Sequence, residues 1–250
     1  MRKIAIANQK GGVGKTTTVL NVAAGLARRG KRVLAVDLDP QANLTDSFGV
    51  EAAGLERTIF DFMNGTALAD VVQRIEEGLD LIPSNLNFVR ADLAFSQKTS
   101  RETLLKRAVK NITDYDFILF DCPPNLGLVN LNAIVASDEI LVTVQAEYFA
   151  YAGLTLIKET IRDVQENLEA GVKLAGIIVT QFDKRKTLAR DVLREIRKEY
   201  AGLLFETIIR ENTQLAESPS HFKNIFDYRP DSHGAEDYAD LAKEIIKRGK

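Results

Sequence analysis

Short apolar runs alternate with longer amphipathic segments along this chain. The apolar runs lie at 4–7, 33–36, 79–82, 117–120, 140–144 and 174–179, and most of them have no polar residue at every second position. Such runs predict strands that are covered on both faces, because a solvated face would place polar residues at every second position. The segments with helical spacing lie between them, at 15–29, 98–111, 127–136, 152–168 and 186–199.

This alternation predicts an α/β fold with three layers, in which a mostly parallel, doubly wound sheet carries helices on both faces. No internal repeat and no linker rich in Pro or Ser interrupts the 250 residues, so residues 1–250 are expected to form a single domain. The stretch 40–75 has weak periodicity and several glycines, which predicts loops and short helices.

Composition narrows the classes of function. The chain has 33 Lys and Arg against 35 Asp and Glu, a net charge of −2, which excludes a uniformly basic coat for nucleic acid. Its one cysteine, Cys122, and two histidines argue against a disulfide or a zinc site. No apolar run approaches the length of a membrane span or a signal peptide, so a cytoplasmic protein is expected.

A glycine-rich loop follows the first predicted strand. Residues 8–18 read Asn-Gln-Lys-Gly-Gly-Val-Gly-Lys-Thr-Thr-Thr and open a predicted helix, which is the context of a phosphate-binding loop. Lys15 would reach the β- and γ-phosphates, and the Thr16 hydroxyl would ligate Mg²⁺. Gln9 replaces the first glycine of the usual pattern, and the loop carries a second lysine, Lys10. These two lysines would repel each other unless an anion lies between them.

Acidic residues follow two of the predicted strands. Asp121 stands at the carboxyl end of a strand, where ligands bind in open α/β sheets, and could hold Mg²⁺ directly or through its waters. Asp37 and Asp39 follow the second strand, and their spacing places both on one side of an extended segment. We expect Asp37 to bind the waters of Mg²⁺. We expect Asp39 to orient the attacking water, since alignment matters more than proton removal in phosphoryl transfer.

Several motifs together resemble a known family. The segment 10–17, Lys-Gly-Gly-Val-Gly-Lys-Thr-Thr, resembles the deviant Walker A motif of the ParA/MinD ATPases. Residues 36–43, Val-Asp-Leu-Asp-Pro-Gln-Ala-Asn, resemble the second acidic motif of ParA-type partition proteins. Residues 117–124, Phe-Ile-Leu-Phe-Asp-Cys-Pro-Pro, resemble their Walker B strand. The stretches 145–149 and 215–220 are also similar, so the resemblance covers nearly the whole chain.

The resemblance implies an ATPase that converts ATP and water to ADP and phosphate, with ATP and Mg²⁺ at the interface of a sandwich homodimer. It implies that Lys10 crosses that interface to the ATP of the second subunit, where it neutralises developing charge as an arginine finger does. The loop residues expected to bind ATP are Lys10, Gly11, Gly12, Val13, Gly14, Lys15, Thr16 and Thr17.

One motif departs from the family. Asn212 matches a position that helps to hold adenine, but residues 210–214 read Arg-Glu-Asn-Thr-Gln where many ParA proteins have Pro-Arg-Asn-Val-Arg. The roles of the family's arginines therefore do not carry over to Glu211 or Gln214. Asn212 also has a simpler interpretation, as a loop residue that hydrogen-bonds the local backbone.

A basic amphipathic helix is the strongest candidate for contact with DNA. Residues 184–198 contain seven basic and two acidic residues. Leu188, Val192 and Ile196 form its apolar face, which is expected to dock on the protein. The residues expected to contact phosphates are Lys186, Arg190, Arg194, Arg197 and Lys198. A solvated helix with Arg–Glu pairs is the alternative, and the resemblance favours weak, non-specific binding of double-stranded DNA.

The C-terminal helix, 236–248, has two interpretations. Its apolar positions are Tyr238, Leu241, Ala242 and Ile245. A membrane-targeting helix, as in the MinD relatives, would need a wider stripe with more Phe, Trp or Leu. The sequence therefore favours a helix packed on the sheet and no membrane partner.

The resemblance thus implies an ATP-driven DNA-segregation switch that is cytoplasmic and associated with the nucleoid. A ParB-like centromere-binding protein would stimulate hydrolysis, and the cargo would be a chromosome or a plasmid. Two alternatives stay open: a ParA-like ATPase that positions a protein cargo, and a MinD-like division regulator that cycles on the membrane. A carrier of metal clusters on the same fold is disfavoured by the single cysteine.

Overall fold

Six parallel strands bring their carboxyl ends to one edge of a central sheet in the computed structural model, which describes residues 1–125, 127–147, 150–168 and 170–249, with the backbone alone at 150–152. Tyr148 and Phe149, which belong to the stretch similar to ParA proteins, lie outside the described residues.

All six predicted apolar runs are strands, and one further strand adds to them. The strands are β1 Arg2–Ala7, β2 Val33–Asp37, β3 Gln73–Glu76, β4 Leu79–Ile82, β5 Phe117–Asp121, β6 Glu139–Gln145 and β7 Lys173–Thr180. Their order is β3-β4-β2-β5-β1-β6-β7. The β3–β4 pair is antiparallel, and the other neighbouring pairs are parallel. The predicted doubly wound sheet is therefore confirmed.

Helices follow most strands. The α-helices are α1 Lys15–Ala27, α2 Asn43–Ser47, α3 Ile59–Met63, α4 Leu68–Val71, α5 Ala91–Ser96, α6 Leu104–Val109, α7 Leu128–Ala136, α8 Ala150–Leu168, α9 Thr187–Glu199, α10 Thr213–Glu217, α11 Ile225–Tyr228 and α12 His233–Arg248. Short 3₁₀ helices lie at Ala52–Gly54, Leu86–Arg90, Arg101–Thr103 and Ser218–His221. Within the described ranges, no helix combines the length and the apolar character needed to cross a membrane.

The core consists of two apolar layers, one on each face of the sheet. Along β1, Ile4 and Ile6 pack in the layer under α1 and α12, whereas Ala5 and Ala7 pack in the layer under α5 to α9. Both sets are buried, which explains why the strand sequences do not alternate. The apolar positions of α12 are also buried, and the Tyr238 hydroxyl lies 3.2 Å from the Thr18 hydroxyl of α1. The prediction that this C-terminal helix packs on the body of the protein is confirmed.

The differences from the predicted elements have physical causes. β3 reads Gln-Arg-Ile-Glu and is half-buried at an edge, so it carries no apolar run. The predicted helix 98–111 is shorter, because a 3₁₀ turn precedes α6 and the helix ends at Val109. The stretch 40–75 contains the short helices α2, α3 and α4, as its weak periodicity predicts.

The two lateral edges of the sheet differ, because the β3 edge is short and irregular whereas the β7 edge is covered. β3 is four residues long, and its register with β4 shifts between Arg74 and Glu76. Beyond β7, the segment 203–210 runs alongside the strand: the Phe205 amide donates to the Ile177 carbonyl over 2.9 Å, and the Ile209 amide donates to that of Val179 over 2.9 Å.

Candidate nucleotide site

The loop between β1 and α1 has the geometry of a phosphate cradle. Gly12 and Gly14 have φ angles of 75° and 80°, a region that favours glycine, and α1 begins directly afterwards at Lys15. The start of a helix exposes backbone amides that no helical carbonyl accepts, so the loop and helix together attract anions. The thirteen residues of α1 reinforce this through their aligned peptide dipoles.

Lys15 lies inside the loop with 7% of its surface exposed. Its Nζ donates to the Lys10 carbonyl over 3.2 Å. Burial lowers the pKa of Lys15, and the nearby Asp121, Cys122 and Asp39 act in the opposite direction. A phosphate would give this buried ammonium the anionic partner that it lacks in the protein alone.

Asp37 and Asp121 form a buried acidic pair on neighbouring strands. They are opposite each other in the β2–β5 register, and both are fully buried. Burial raises the pKa of Asp37 to about 6, although hydrogen bonds from Thr45 and Asp39 lower it. Burial and then the charge of Asp37 raise the pKa of Asp121, and the nearby hydroxyl of Thr16 lowers it. The charge of Asp37 therefore destabilises the charged form of Asp121.

This pair fits a magnesium ion that completes its coordination with substrate oxygens and water. Both Asp121 oxygens are buried without a hydrogen-bond partner, which is costly unless a cation or its water shell contacts them. Carboxylate and hydroxyl oxygens are the donors that Mg²⁺ prefers, and Thr16 is the nearby hydroxyl. In the part of the chain that the structure describes, no group of three or more His, Cys, Asp and Glu residues could hold a metal by itself. Asp121, Asp37 and Thr16 are the residues that would hold the ion beside a bound triphosphate.

Asp39 and Asp37 separate in space although they are two residues apart. Asp37 is buried, and its carboxylate accepts hydrogen bonds from the Thr45 amide over 2.9 Å and from the Thr45 hydroxyl over 2.7 Å. Asp39 lines an open cleft of about 680 Å³ in front of the loop, and one of its oxygens accepts from the Gln41 amide. This loop cleft is lined by Gly11, Gly12, Gly14, Lys15, Thr16, Thr17, Asp39, Gln41, Asn43, Asp46, Ser47, Pro124, Gln181, Pro219, Ser220 and Phe222.

Lys10 folds back onto its own chain. Its Nζ donates to Glu147 Oε2 over 2.6 Å and to Gln145 Oε1 over 3.0 Å, and both members of the ion pair are about half exposed. Gln145 and Gln181 also donate to the Gly12 carbonyl, over 3.4 Å and 2.7 Å. Residues at the ends of β6 and β7 therefore hydrogen-bond both the backbone of the loop and the side chain of Lys10.

A second, smaller cleft adjoins the first along the start of α1. This side cleft has a volume of about 280 Å³ and is lined by Gly14, Thr17, Thr180, Gln181, Ile209, Arg210, Glu211, Asn212, Thr213, Leu215, Ala216 and Tyr238. Asn212 Oδ1 accepts a hydrogen bond from the Gln214 amide over 2.8 Å and caps α10, which is the local backbone contact that its simpler interpretation predicts. The Arg210 guanidinium is held on Asp237, with Nε 2.9 Å from Oδ1.

The basic residues predicted on α9 are all exposed. Lys186 pairs with Glu211 over 3.2 Å and Arg194 with Asp191 over 3.1 Å. For Arg190, Arg197 and Lys198 there is no ion pair to the residues described here. The expectation that Leu188 packs inward is wrong, because it lies in the first turn and is 55% exposed. The buried face of α9 consists of Ala189, Val192, Leu193 and Ile196.

Sequence reasoning missed several residues around the loop. Thr45 hydrogen-bonds Asp37 from eight residues away and also accepts from the Ser84 amide over 2.9 Å. Thr180 donates to the Val13 carbonyl over 2.9 Å. No local pattern marks these contacts, since each joins segments that are distant in the chain. Glu147 lies in a stretch that resembles ParA proteins, and that similarity is the one signal that could have pointed to it.

Comparisons with known proteins agree with this geometry. Residues 1–175 match the AAA domain family. The sporulation initiation inhibitor protein Soj of Bacillus subtilis strain 168 is 44% identical over 251 residues, which cover 98% of each chain. The chain belongs to the Soj/ParA family. The chromosome-partitioning ATPase Soj of Thermus thermophilus is 42% identical over 248 residues, 99% of this chain and 96% of that one.

One of the similar solved structures contains a bound nucleotide analogue. The Mycobacterium smegmatis protein described as cobyrinic acid a,c-diamide synthase, solved with an ATP analogue and magnesium, has a TM-score of 0.86 and 34% identity over 99% of this chain and 95% of that one. As a member of the Soj/ParA family, the present chain is a P-loop ATPase whose cofactors are ATP and Mg²⁺.

Proposed function

We propose that the protein is an ATP-driven switch for DNA segregation, in which Mg-ATP joins two copies into a sandwich dimer that binds double-stranded DNA. Hydrolysis then separates the copies and releases the DNA. Residues 1–250 act as one domain in this cycle. The observation that carries the proposal is the combination of a buried catalytic lysine, Lys15, with a second, exposed lysine, Lys10, in the same loop.

Within one copy, the residues have distinct roles in hydrolysis. Lys15 binds the β- and γ-phosphates, and the amides of the loop residues 10–17 surround them. Thr16, Asp121 and Asp37 hold Mg²⁺ and its waters, and the ion supplies positive charge against the phosphate oxygens. Asp39 lines the loop cleft, where it can accept a hydrogen bond from the attacking water and orient it toward the γ-phosphate. Asn212 donates from Nδ2 to the adenine in the side cleft.

Between copies, Lys10 is the residue that responds to the γ-phosphate. Its partners in the single copy are exposed carboxylate and amide oxygens, and an exposed ion pair contributes about 1 kcal/mol or less. A γ-phosphate in a second copy offers more negative charge in a site that the dimer shields from water. Replacing the contacts of Lys10 within its own copy by a contact with this γ-phosphate therefore favours the dimer when ATP is bound. ADP lacks the γ-phosphate and offers no comparable gain.

DNA binding would follow from the basic face of α9. The helix presents Lys186, Arg190, Arg194, Arg197 and Lys198 to solvent. One such face neutralises few phosphates, so it binds weakly and without reading bases. Pairing two copies joins two weak sites, and the second contact then forms at a high effective concentration.

The partner in this proposal is a ParB-like centromere-binding protein that stimulates slow hydrolysis, and the protein works in the cytoplasm on the nucleoid. The relative named chromosome-partitioning ATPase Soj supports chromosome partition.

The test is binding of a random DNA duplex, measured by fluorescence anisotropy with Mg-ATP and with Mg-ADP. We expect affinity on the order of tenfold or more tighter with ATP, and a steep loss with added salt. Anionic liposomes in a parallel sedimentation assay should not bind. Equal DNA affinity with the two nucleotides would refute the switch, and ATP-dependent liposome binding would favour the membrane-cycling alternative.

A further inference from the structure

Phe222 combines a strained backbone with an exposed ring. Its φ angle is 55°, in the left-handed region that favours glycine, and its relative exposure is 64%. A bulky side chain is strained in this conformation, and a mostly exposed ring gains little from burial that could offset the strain. The stability of the isolated chain therefore does not explain why a phenylalanine occupies this position.

The segment around Phe222 is fixed at both ends. The Phe222 amide donates to the Pro219 carbonyl over 3.0 Å, and the Lys223 amide donates to that of Ser218 over 3.2 Å. Three residues later, the Ile225 amide donates over 2.7 Å to the side chain of Asn21, which belongs to α1. The hydrogen bonds on both sides hold Phe222 in its strained conformation beside the helix that begins at the phosphate loop.

The ring stands at the nucleotide site. Phe222 lines the loop cleft together with Thr17, and Thr17 also lines the side cleft that contains Asn212. Two aromatic residues line these clefts within the described residues, Phe222 and Tyr238. Tyr238 is 1% exposed and contacts Thr18, so it is part of the packed core. Phe222 is the aromatic ring there with a free surface.

We propose that Phe222 is a nucleoside-contacting residue, whose ring packs on the sugar of the bound nucleotide from the loop cleft, while the base lies in the side cleft. A nucleotide whose phosphates lie on the loop extends past Thr17, where the two clefts join. An aromatic ring that meets it there excludes water and stacks without requiring hydrogen bonds. In this proposal, the backbone strain at Phe222 costs folding stability, and the contact of its ring with the nucleoside offsets that cost when a nucleotide is bound. This inference rests on the nucleotide-binding part of the proposed function and is independent of DNA.

Three substitutions separate the ring from the strain. Phe222→Gly removes both, Phe222→Leu removes the flat ring and keeps the strain, and Phe222→Tyr keeps both. Leu93→Ala is the matched control, because Leu93 is 79% exposed and lines neither cleft. Calorimetry gives the Kd for Mg-ADP and for tripolyphosphate, and thermal unfolding gives the Tm of the nucleotide-free protein.

We expect Phe222→Gly and Phe222→Leu to weaken Mg-ADP binding by about tenfold, whereas Phe222→Tyr changes it by less than about twofold. Tripolyphosphate should bind all variants equally, because it has no nucleoside. Phe222→Gly alone should raise the Tm, by about 2–4 °C, because glycine relieves the strain.

The proposal is overturned if Phe222→Gly binds Mg-ADP as tightly as the wild type, or if its affinity for tripolyphosphate falls equally. It is also overturned if ATP-dependent dimerisation alone weakens, because the ring would then contact the second copy. Failure of the wild type to bind DNA would reject the partition cycle and leave these ADP measurements unaffected.

Discussion

At the scale of single residues, two buried acidic side chains destabilise the folded protein at the proposed catalytic site. Asp121 and Asp37 are buried side by side, and no donor in the described residues lies within hydrogen-bonding geometry of the Asp121 oxygens, although the Thr16 hydroxyl is close enough to lower the pKa of Asp121. Removing charge from water without a partner costs several kcal/mol. The site therefore stores a penalty that Mg²⁺ with a bound triphosphate would relieve.

Asp121→Asn should stabilise the nucleotide-free protein and abolish ATP hydrolysis. The neutral amide avoids the buried charge, so we expect the Tm at neutral pH to rise by roughly 3–8 °C. Turnover should fall to background because the variant cannot hold Mg²⁺. Differential scanning calorimetry and a phosphate-release assay measure the two effects. A lower Tm, with intact secondary structure, would contradict the penalty.

The stability gain of Asp121→Asn should depend on pH. The raised pKa of both carboxyls means that the folded wild type binds more protons than the unfolded chain between the ordinary Asp value and, for Asp37, about 6. Wild-type stability therefore falls as pH rises through that window. The difference in unfolding free energy between variant and wild type should be small near pH 4 and should grow as the pH rises above the ordinary Asp value. Urea titrations at several pH values check this sign.

At the scale of elements, α9 and α12 perform different tasks although both are amphipathic. The buried face of α9 is only four residues, and its outer face is basic. α12 buries seven residues against α1 and the sheet. The first is built to present charge, and the second holds the helix that begins at the phosphate loop.

Replacing Arg194, Arg197 and Lys198 of α9 with Ala should weaken binding of random DNA without changing ATP turnover in the absence of DNA. Each DNA phosphate that the variant no longer neutralises should reduce the slope of log affinity against log salt by about 1. Lys243→Ala, an exposed lysine on α12, is the matched control and should bind as the wild type does. An unchanged salt slope in the triple variant would place the DNA on another surface.

Tyr238→Phe should loosen α12 from α1. The substitution removes the buried hydroxyl that contacts Thr18 and leaves the Thr18 oxygen without that partner. A hydrogen bond of this kind contributes about 1 kcal/mol, or about 2–4 °C in Tm for a chain of this size. A double-mutant cycle with Thr18→Val measures the coupling. Additive effects of the two substitutions would show that the contact contributes nothing.

The sequence predicts the elements that are buried on both faces and misses those decided by distant contacts. The six apolar runs identify the parallel strands, and the Gly-Lys-Thr motif identifies the loop that binds phosphate. Gln73–Glu76 is a strand because β4 pairs with it, and its polar residues give no sign of this. In the same way, Glu147 as the partner of Lys10 and the strained Phe222 depend on chain segments that fold together from far apart.

At the scale of the whole molecule, the proposed dimer makes stability depend on concentration. If two copies pair in Mg-ATP, the Tm in Mg-ATP should rise with protein concentration, whereas the Tm in Mg-ADP should stay constant. Lys10→Ala should lose the concentration dependence and still bind ADP, because its ion pair is exposed and contributes little to the fold. Light scattering gives the mass of each species. A Lys10→Ala dimer in Mg-ATP would show that this lysine does not join the copies.

The two lateral edges of the sheet limit how such molecules can associate. β3 is short and irregular, and the segment 203–210 occupies the outer side of β7. An incoming strand therefore finds only a short, irregular edge at β3 and an occupied one at β7. If copies gather at high density on one DNA molecule as proposed, pairing of their sheet edges is disfavoured. The fold thus permits crowding on a polymer without the irreversible fibre growth that exposed strands invite.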